Sequence, residues 1–118
     1  MDQTVLITGC SSGVGKATAE AFLAADWTVY ATAEDESDLS DLEAAGCRTA
    51  SLDVRKPGAC SDVVERVIEE TGRIDCLVNA ESYAQLGPIE DLTPREVHEQ
   101  FDVNVYGPHR LVRAVLPH

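Results

Sequence analysis

Three observations predict an α/β fold, a parallel sheet covered by helices on both faces. Short apolar runs alternate with helical patterns along the whole chain, the order expected of parallel strands joined by right-handed crossovers. The first run, Val5, Leu6 and Ile7, is continuous rather than alternating, as a strand buried on both faces requires. It leads directly into a turn punctuated by Gly9, Gly13 and Gly15, and then into a helix.

That turn carries the first functional signal. Glycine allows a tight bend and a close approach of backbone to ligand, while Ser11, Ser12 and the first free N–H groups of the helix offer donors to a phosphate. Strand, turn and helix together predict a dinucleotide cradle. The spacing Gly-x-x-x-Gly-x-Gly differs from the common Gly-x-Gly-x-x-Gly fingerprint. It also differs from a P-loop, because five residues separate Gly9 from Gly15-Lys16 and Ala17 follows, where a P-loop has four residues and then Ser or Thr.

Taken in order, Gly13 to Ala25 reads as a helix with Ala17, Ala21, Phe22 and Ala25 on its packing face, ended by Asp26. Trp27 to Thr32 is a second strand. A short helix within Glu36 to Ala45 follows, stopped by Gly46. Cys47 to Val54 is the third strand and carries Asp53. Pro57 opens a helix that buries Val63, Val64, Val67 and Ile68 and closes at Gly72. Ile74 to Asn79 is the fourth strand. Thr93, Pro94 and Glu96 form an N-cap, a first helical position and a capping box. Val97, Phe101, Val105 and Val112 then recur at helical spacing. Pro108 interrupts this last helix and lacks the N–H that would bond to the carbonyl of Asn104. The plain reading is a kink that fits the helix to the sheet.

Composition narrows the function classes. The 118 residues make one domain, short for a complete dinucleotide-dependent enzyme. No run of eighteen apolar residues is present and the chain enters a strand without a basic leader, so a soluble, cytoplasmic protein without membrane association is expected. The formal net charge is −12, with Lys16 and Lys56 the only lysines, which argues against nucleic acid as a partner. Such an acid excess suits concentrated salt, although an acidic protein of ordinary habitat has the same composition. Cys10, Cys47, Cys60 and Cys76 are spaced 37, 13 and 16 apart. This fits neither a metal-ligand pattern nor a redox pair, so free buried thiols and no metal are expected.

Together these residues resemble the N-terminal half of a classical short-chain dehydrogenase/reductase. Thr8 to Gly15 (TGCSSGVG) is similar to the family's cofactor loop, Leu52 to Val54 (LDV) to its adenine-contacting turn, and Asn104 in FDVNVYG to the helix asparagine of its catalytic set. The resemblance implies a Rossmann-type three-layer sandwich with strand order 3-2-1-4, lacking the C-terminal strands, over residues 1–118. It implies cofactor-binding roles for Thr8, Gly9, Ser11, Ser12, Gly13, Val14, Gly15, Glu34, Asp53, Val54, Asn79 and Ala80, with Asp53 on the adenine amino group. For Asn104 it implies a backbone carbonyl that holds a water of the proton relay. The family's Asn-Asn-Ala-Gly motif appears as Asn79-Ala80-Glu81-Ser82, which puts a carboxylate beside the cleft.

The implied activity is hydride transfer between NAD or NADP and an alcohol or carbonyl substrate. The family's catalytic serine and its tyrosine–lysine pair align beyond His118. None of Tyr30, Tyr83 and Tyr106 has a lysine four residues on, so this chain alone is expected to be inactive, with substrate engaged only once a C-terminal half completes it. A non-catalytic nucleotide-binding or partner-binding remnant is the alternative. His98 and His109 are expected to face solvent. Ala33 and Glu34 stand where relatives select the cofactor, and a carboxylate there repels a 2′-phosphate, which leans toward NAD. An unpaired fourth strand and an apolar face around Phe101, Val105 and Val112 predict self-association. A receiver domain of similar length is set aside, because Gly9, Cys10 and Ser11 occupy the place of its magnesium-binding acids.

Overall fold

The computed structural model describes residues 2–118. Four strands, β1 (Thr4–Ile7), β2 (Thr28–Ala33), β3 (Arg48–Ser51) and β4 (Cys76–Val78), form one parallel sheet in the order β3-β2-β1-β4. Its register pairs Val5 with Val29 on one side and with Cys76 on the other. The expected order 3-2-1-4 and the Rossmann-like fold are therefore present. Helices α1 (Gly13–Ala24), α2 (Ser40–Ala45, preceded by a 3-10 turn over Glu36–Leu39), α3 (Pro57–Thr71), α4 (Pro94–Phe101) and α5 (Gly107–Val115) surround the sheet, with a 3-10 turn over Ile89–Asp91 and a π-helix over Asp102–Tyr106.

Strand alternation divides the core into two layers. Leu6 and Tyr30 point to the face covered by α3 and α5, where Val63, Val64, Val67, Val103 and Leu111 are buried. Val5, Ile7, Val29 and Ala31 point to the opposite face, against Ala19 of α1 and Leu39 and Leu42 near α2. Every residue of β1 is buried, as its continuous apolar run requires. β4 is half-buried throughout.

Several boundaries differ from expectation for identifiable reasons. The third strand ends at Ser51 rather than Val54. Leu52 N–H still bonds to Ala33 at 2.8 Å, but Lys56 N–H then bonds to the Asp53 carbonyl and turns the chain. In α1 the buried positions are Gly15 and Ala19, with Phe22 and Leu23 half-buried, while Ala17, Ala21 and Ala25 are exposed. The tight contact made by Gly15, described below, sets that rotation. Asp26 closes α1 with a positive φ of 64°, and Gly46 and Gly72 cap α2 and α3 in the left-handed conformation. Ahead of Pro108 the chain is a π-helix over Asp102–Tyr106, more than the expected kink.

Candidate functional site

Buried hydrogen bonds hold the chain as it leaves β1. Thr8 N–H bonds to the Val78 carbonyl at 3.0 Å and Cys10 N–H to that of Thr32 at 2.9 Å. Gly9 has φ +67°, and a Cβ there would sit 2.6 Å from the Ala80 carbonyl oxygen. At Gly15 a Cβ would sit 2.0 Å from the Gly9 carbonyl oxygen, so the helix can start this close to the turn only with glycine. The buried Thr8 hydroxyl accepts from the amides of Ala80 and Glu81, both at 3.1 Å. Thr8 thus fastens the glycine turn to the loop after β4.

Ser11, Ser12, Gly13 and Val14 are exposed beside this anchored turn. Ser12 is the N-cap of α1, extended at φ −165°, with its side chain unengaged by the helix and no acid in the first turn. Gly13 at φ +61° faces open space. The first N–H groups and positive end of α1 carry no acid of the helix's own first turn. Cys10, by contrast, is fully buried, its thiol donates to the Ile7 carbonyl at 3.4 Å, and burial pushes its pKa up to about 11. It is a packing residue. All four cysteines are free, and Cys10, Cys47 and Cys60 are buried.

Beyond the turn lies a cleft of about 240 Å³ at the carboxyl ends of the strands, lined among others by Glu34, Asp53, Arg55, Glu81, Glu99 and Val103. Arg55 is its centre. Its Nε and Nη2 bond to the two oxygens of Asp53 at 3.0 and 2.9 Å, and its backbone N–H bonds to Asp53 Oδ1 at 3.0 Å. Nη1 reaches Glu99 at 2.6 Å and Nη2 reaches Glu34 at 3.3 Å. The Arg55 hydrogen bonds hold the Asp53 carboxyl below the usual range. The Glu81 carboxyl is pushed up, first by burial and then by Glu34 and Asp53, with a backbone hydrogen bond from Ser82 opposing.

Asn104 stands in the π-helix, exposed, and lines a neighbouring groove with Gln100, Phe101 and Val105 rather than the acid-lined cleft. Its side chain clamps the loop after β4: Oδ1 accepts from Tyr83 N–H at 2.9 Å and Nδ2 donates to the Tyr83 carbonyl at 2.6 Å. Gly107 N–H bonds five residues back to Asp102, and Pro108 has no N–H to offer Asn104. Arg110 bridges Asp102 at 2.6 Å and donates to the Val54 carbonyl at 2.9 Å. A Cβ on Gly107 would meet Val54 Cγ2 at 2.8 Å, so the helix packs at close range on the turn that follows β3.

The expected residues fall into two groups. Glu34 and Asp53 line the cleft, while Asn79 is exposed and Ala80 half-buried on the loop after β4, which the glycine turn meets at Ala80 and Glu81. Thr8 spends its hydroxyl on the loop, and the Val54 side chain is in the core. His98 and His109 are exposed, as expected. Arg55, Glu99, Arg110 and Gly107 were not anticipated. An arginine two residues after the strand-end aspartate is a readable signal for Arg55, whereas the other three depend on how the last helix crosses the sheet. Among the described residues no group of three or more His, Cys, Asp or Glu side chains is arranged to hold a metal ion, and no helix is long and apolar enough to cross a membrane.

A sequence profile described as short chain dehydrogenase matches residues 3–118, and the chain belongs to that family. It is 38% identical over 117 residues to a short-chain dehydrogenase/reductase of Pestalotiopsis microspora, covering 98% of this chain and 42% of that protein. Among solved structures, a short-chain dehydrogenase from Streptomyces avermitilis superposes with a TM-score of 0.95 at 42% identity, covering 99% of this chain and 44% of that one. A metagenomic short-chain oxidoreductase in complex with NADP superposes with a TM-score of 0.90 at 30% identity, covering 98% and 55%. The chain therefore spans about half the length of the proteins it matches.

Proposed function

We propose that this chain is the cofactor-binding half of an NAD(P)-dependent oxidoreductase that moves hydride between a nicotinamide cofactor and an alcohol or carbonyl substrate. The observation that carries this reading is the N-terminus of α1, without an acid in its first turn and fastened to the loop after β4 by Thr8 and by the Gly9–Ala80 contact. It adjoins a cleft at the point where strand order reverses between β1 and β4. The residues fit a dinucleotide. Gly13 leaves room at the turn, the helix terminus offers donors to a pyrophosphate, and Asp53 faces the cleft to take the adenine amino group. When bound, the cofactor would supply the hydride. Asn104 would contribute its backbone carbonyl, which Pro108 leaves without its usual helical donor.

Glu34 at the end of β2 is exposed, and with Glu81 and Glu99 nearby it favours NAD over NADP, because a 2′-phosphate would enter a field of carboxylates. Calorimetric titration with each dinucleotide tests the reading: binding is expected, NAD tighter than NADP, and Glu34→Arg should move the preference toward NADP. Tighter NADP binding by the unsubstituted chain would reverse the assignment. No turnover of carbonyl compounds with NADH is expected from these 118 residues, which lack a tyrosine with lysine four positions on. Restored turnover on adding a segment that carries such a pair would distinguish a catalytic half from a non-catalytic remnant, the reading that Glu81 favours. Phe101, Val105 and Val112 are 51%, 49% and 40% exposed along one helical face, which supports association of two chains or of this chain with that segment. Mass in solution checks it.

A further inference from the structure

Asp53 carries two carboxylate oxygens with about four acceptor positions between them. Arg55 fills three: its backbone N–H and Nε both bond to Oδ1, and Nη2 bonds to Oδ2. One position remains, on Oδ2. Arg55 is itself braced at the far end, by Glu99 of α4 at 2.6 Å and by Glu34 after β2 at 3.3 Å. The planar fork of a guanidinium fixes the carboxylate in rotation as well as in charge, which an ammonium cannot do.

We infer that Arg55 is a positioning residue that sets base specificity, by orienting Asp53 so that a single acceptor is presented to a purine bearing an exocyclic amino group. This rests on the reading of the cleft as the adenosine end of a dinucleotide site. A purine with a carbonyl in place of that amino group would bring oxygen against the one open carboxylate position and would be rejected. Without the fork, Asp53 is free to turn away from the repulsion of Glu34 and Glu81, which line the same cleft, and the discrimination disappears.

The test compares calorimetric binding of NAD with that of nicotinamide hypoxanthine dinucleotide, in which a ring carbonyl replaces the adenine amino group and the adjacent ring nitrogen N1 carries a proton. The unsubstituted chain should prefer NAD by about tenfold, the worth of one charge-assisted hydrogen bond. Arg55→Lys keeps the positive charge and should reduce that preference to about twofold, as should Arg55→Met. A purely structural role would weaken both dinucleotides alike and leave the ratio unchanged, and that result overturns the inference. Equal affinities in the unsubstituted chain overturn it as well. If neither dinucleotide binds the unsubstituted chain, the cleft reading fails and the inference with it, an outcome distinct from binding without discrimination.

Discussion

Glu81 holds an unfavourable charge in the cleft, because burial and the neighbouring Glu34 and Asp53 all disfavour its ionised form. Its folded-state pKa lies above the ordinary glutamate value of 4.5, so the folded chain binds a proton more readily than the unfolded one, and ionisation opposes folding as pH rises past that value. Glu81→Gln is therefore expected to raise stability at pH 7, and the gain should close as the pH is lowered to about 4.5 and below. Urea unfolding of both proteins across that range checks it, and a pH-independent gain would point to packing instead. The glycines give a second contrast. Gly15→Ala drives a methyl to within 2.0 Å of a backbone oxygen and should cost about 3 kcal/mol or more. Gly13→Ala meets no atom and bears only its positive φ, costing about 1–2 kcal/mol. The glycine turn was legible because each position has a local backbone reason. Arg55 has a readable position two residues after Asp53, but its link to Glu34 and Glu99 appears only when the ends of β2 and β3 and helix α4 converge.

Among the elements, the helix signals were the most readable. Thr93 and Glu96 form the reciprocal capping box that their spacing implies, and Pro57 opens α3, because caps depend on residues three or four apart. The strand ends were less so. β3 and β4 stop short of their apolar runs, since a strand lasts only as long as its neighbour offers bonds. The π-helix exceeds what Pro108 alone announces, because widening the ladder by one residue requires a partner that makes the shift worthwhile. Arg110 is such a partner, joining Asp102 of the π-helix to the Val54 carbonyl. Asp102→Asn leaves that guanidinium without its carboxylate at a site that is mostly buried, and a loss of about 2 kcal/mol is expected. Arg110→Met paired with Asp102→Leu should recover part of it, because removing both partners is less costly than removing one. Chemical denaturation of Asp102→Asn and of the double variant reads the comparison.

For the molecule as a whole, the sheet order followed from the alternation of strands and helices, but the phase of α1 did not, because close contact at Gly15 rather than hydrophobic periodicity fixes which side faces the sheet. The net charge of −12 acts at this scale. Like charges over the surface, with Glu36, Asp38, Asp41 and Glu43 on the segment around α2, destabilise the folded state at low ionic strength and are relieved by screening. The melting temperature should rise steeply from low to molar salt. A flat response would show that the repulsion is already offset by ion pairs.

The carboxylates that rim the cleft also govern how fast a ligand arrives. A pyrophosphate approaching Glu34, Glu81 and Glu99 must cross a negative field, so diffusion delivers it less often than collision alone would. Stopped-flow measurement should find an association rate constant for dinucleotide that increases with added salt, opposite to the behaviour of electrostatically attracted pairs. Because the fixed helix terminus and hydrogen bonds of the turn act only once the ligand has entered, the dissociation rate constant should respond far less. Salt would then tighten binding by speeding arrival, with the time a bound molecule stays nearly unchanged.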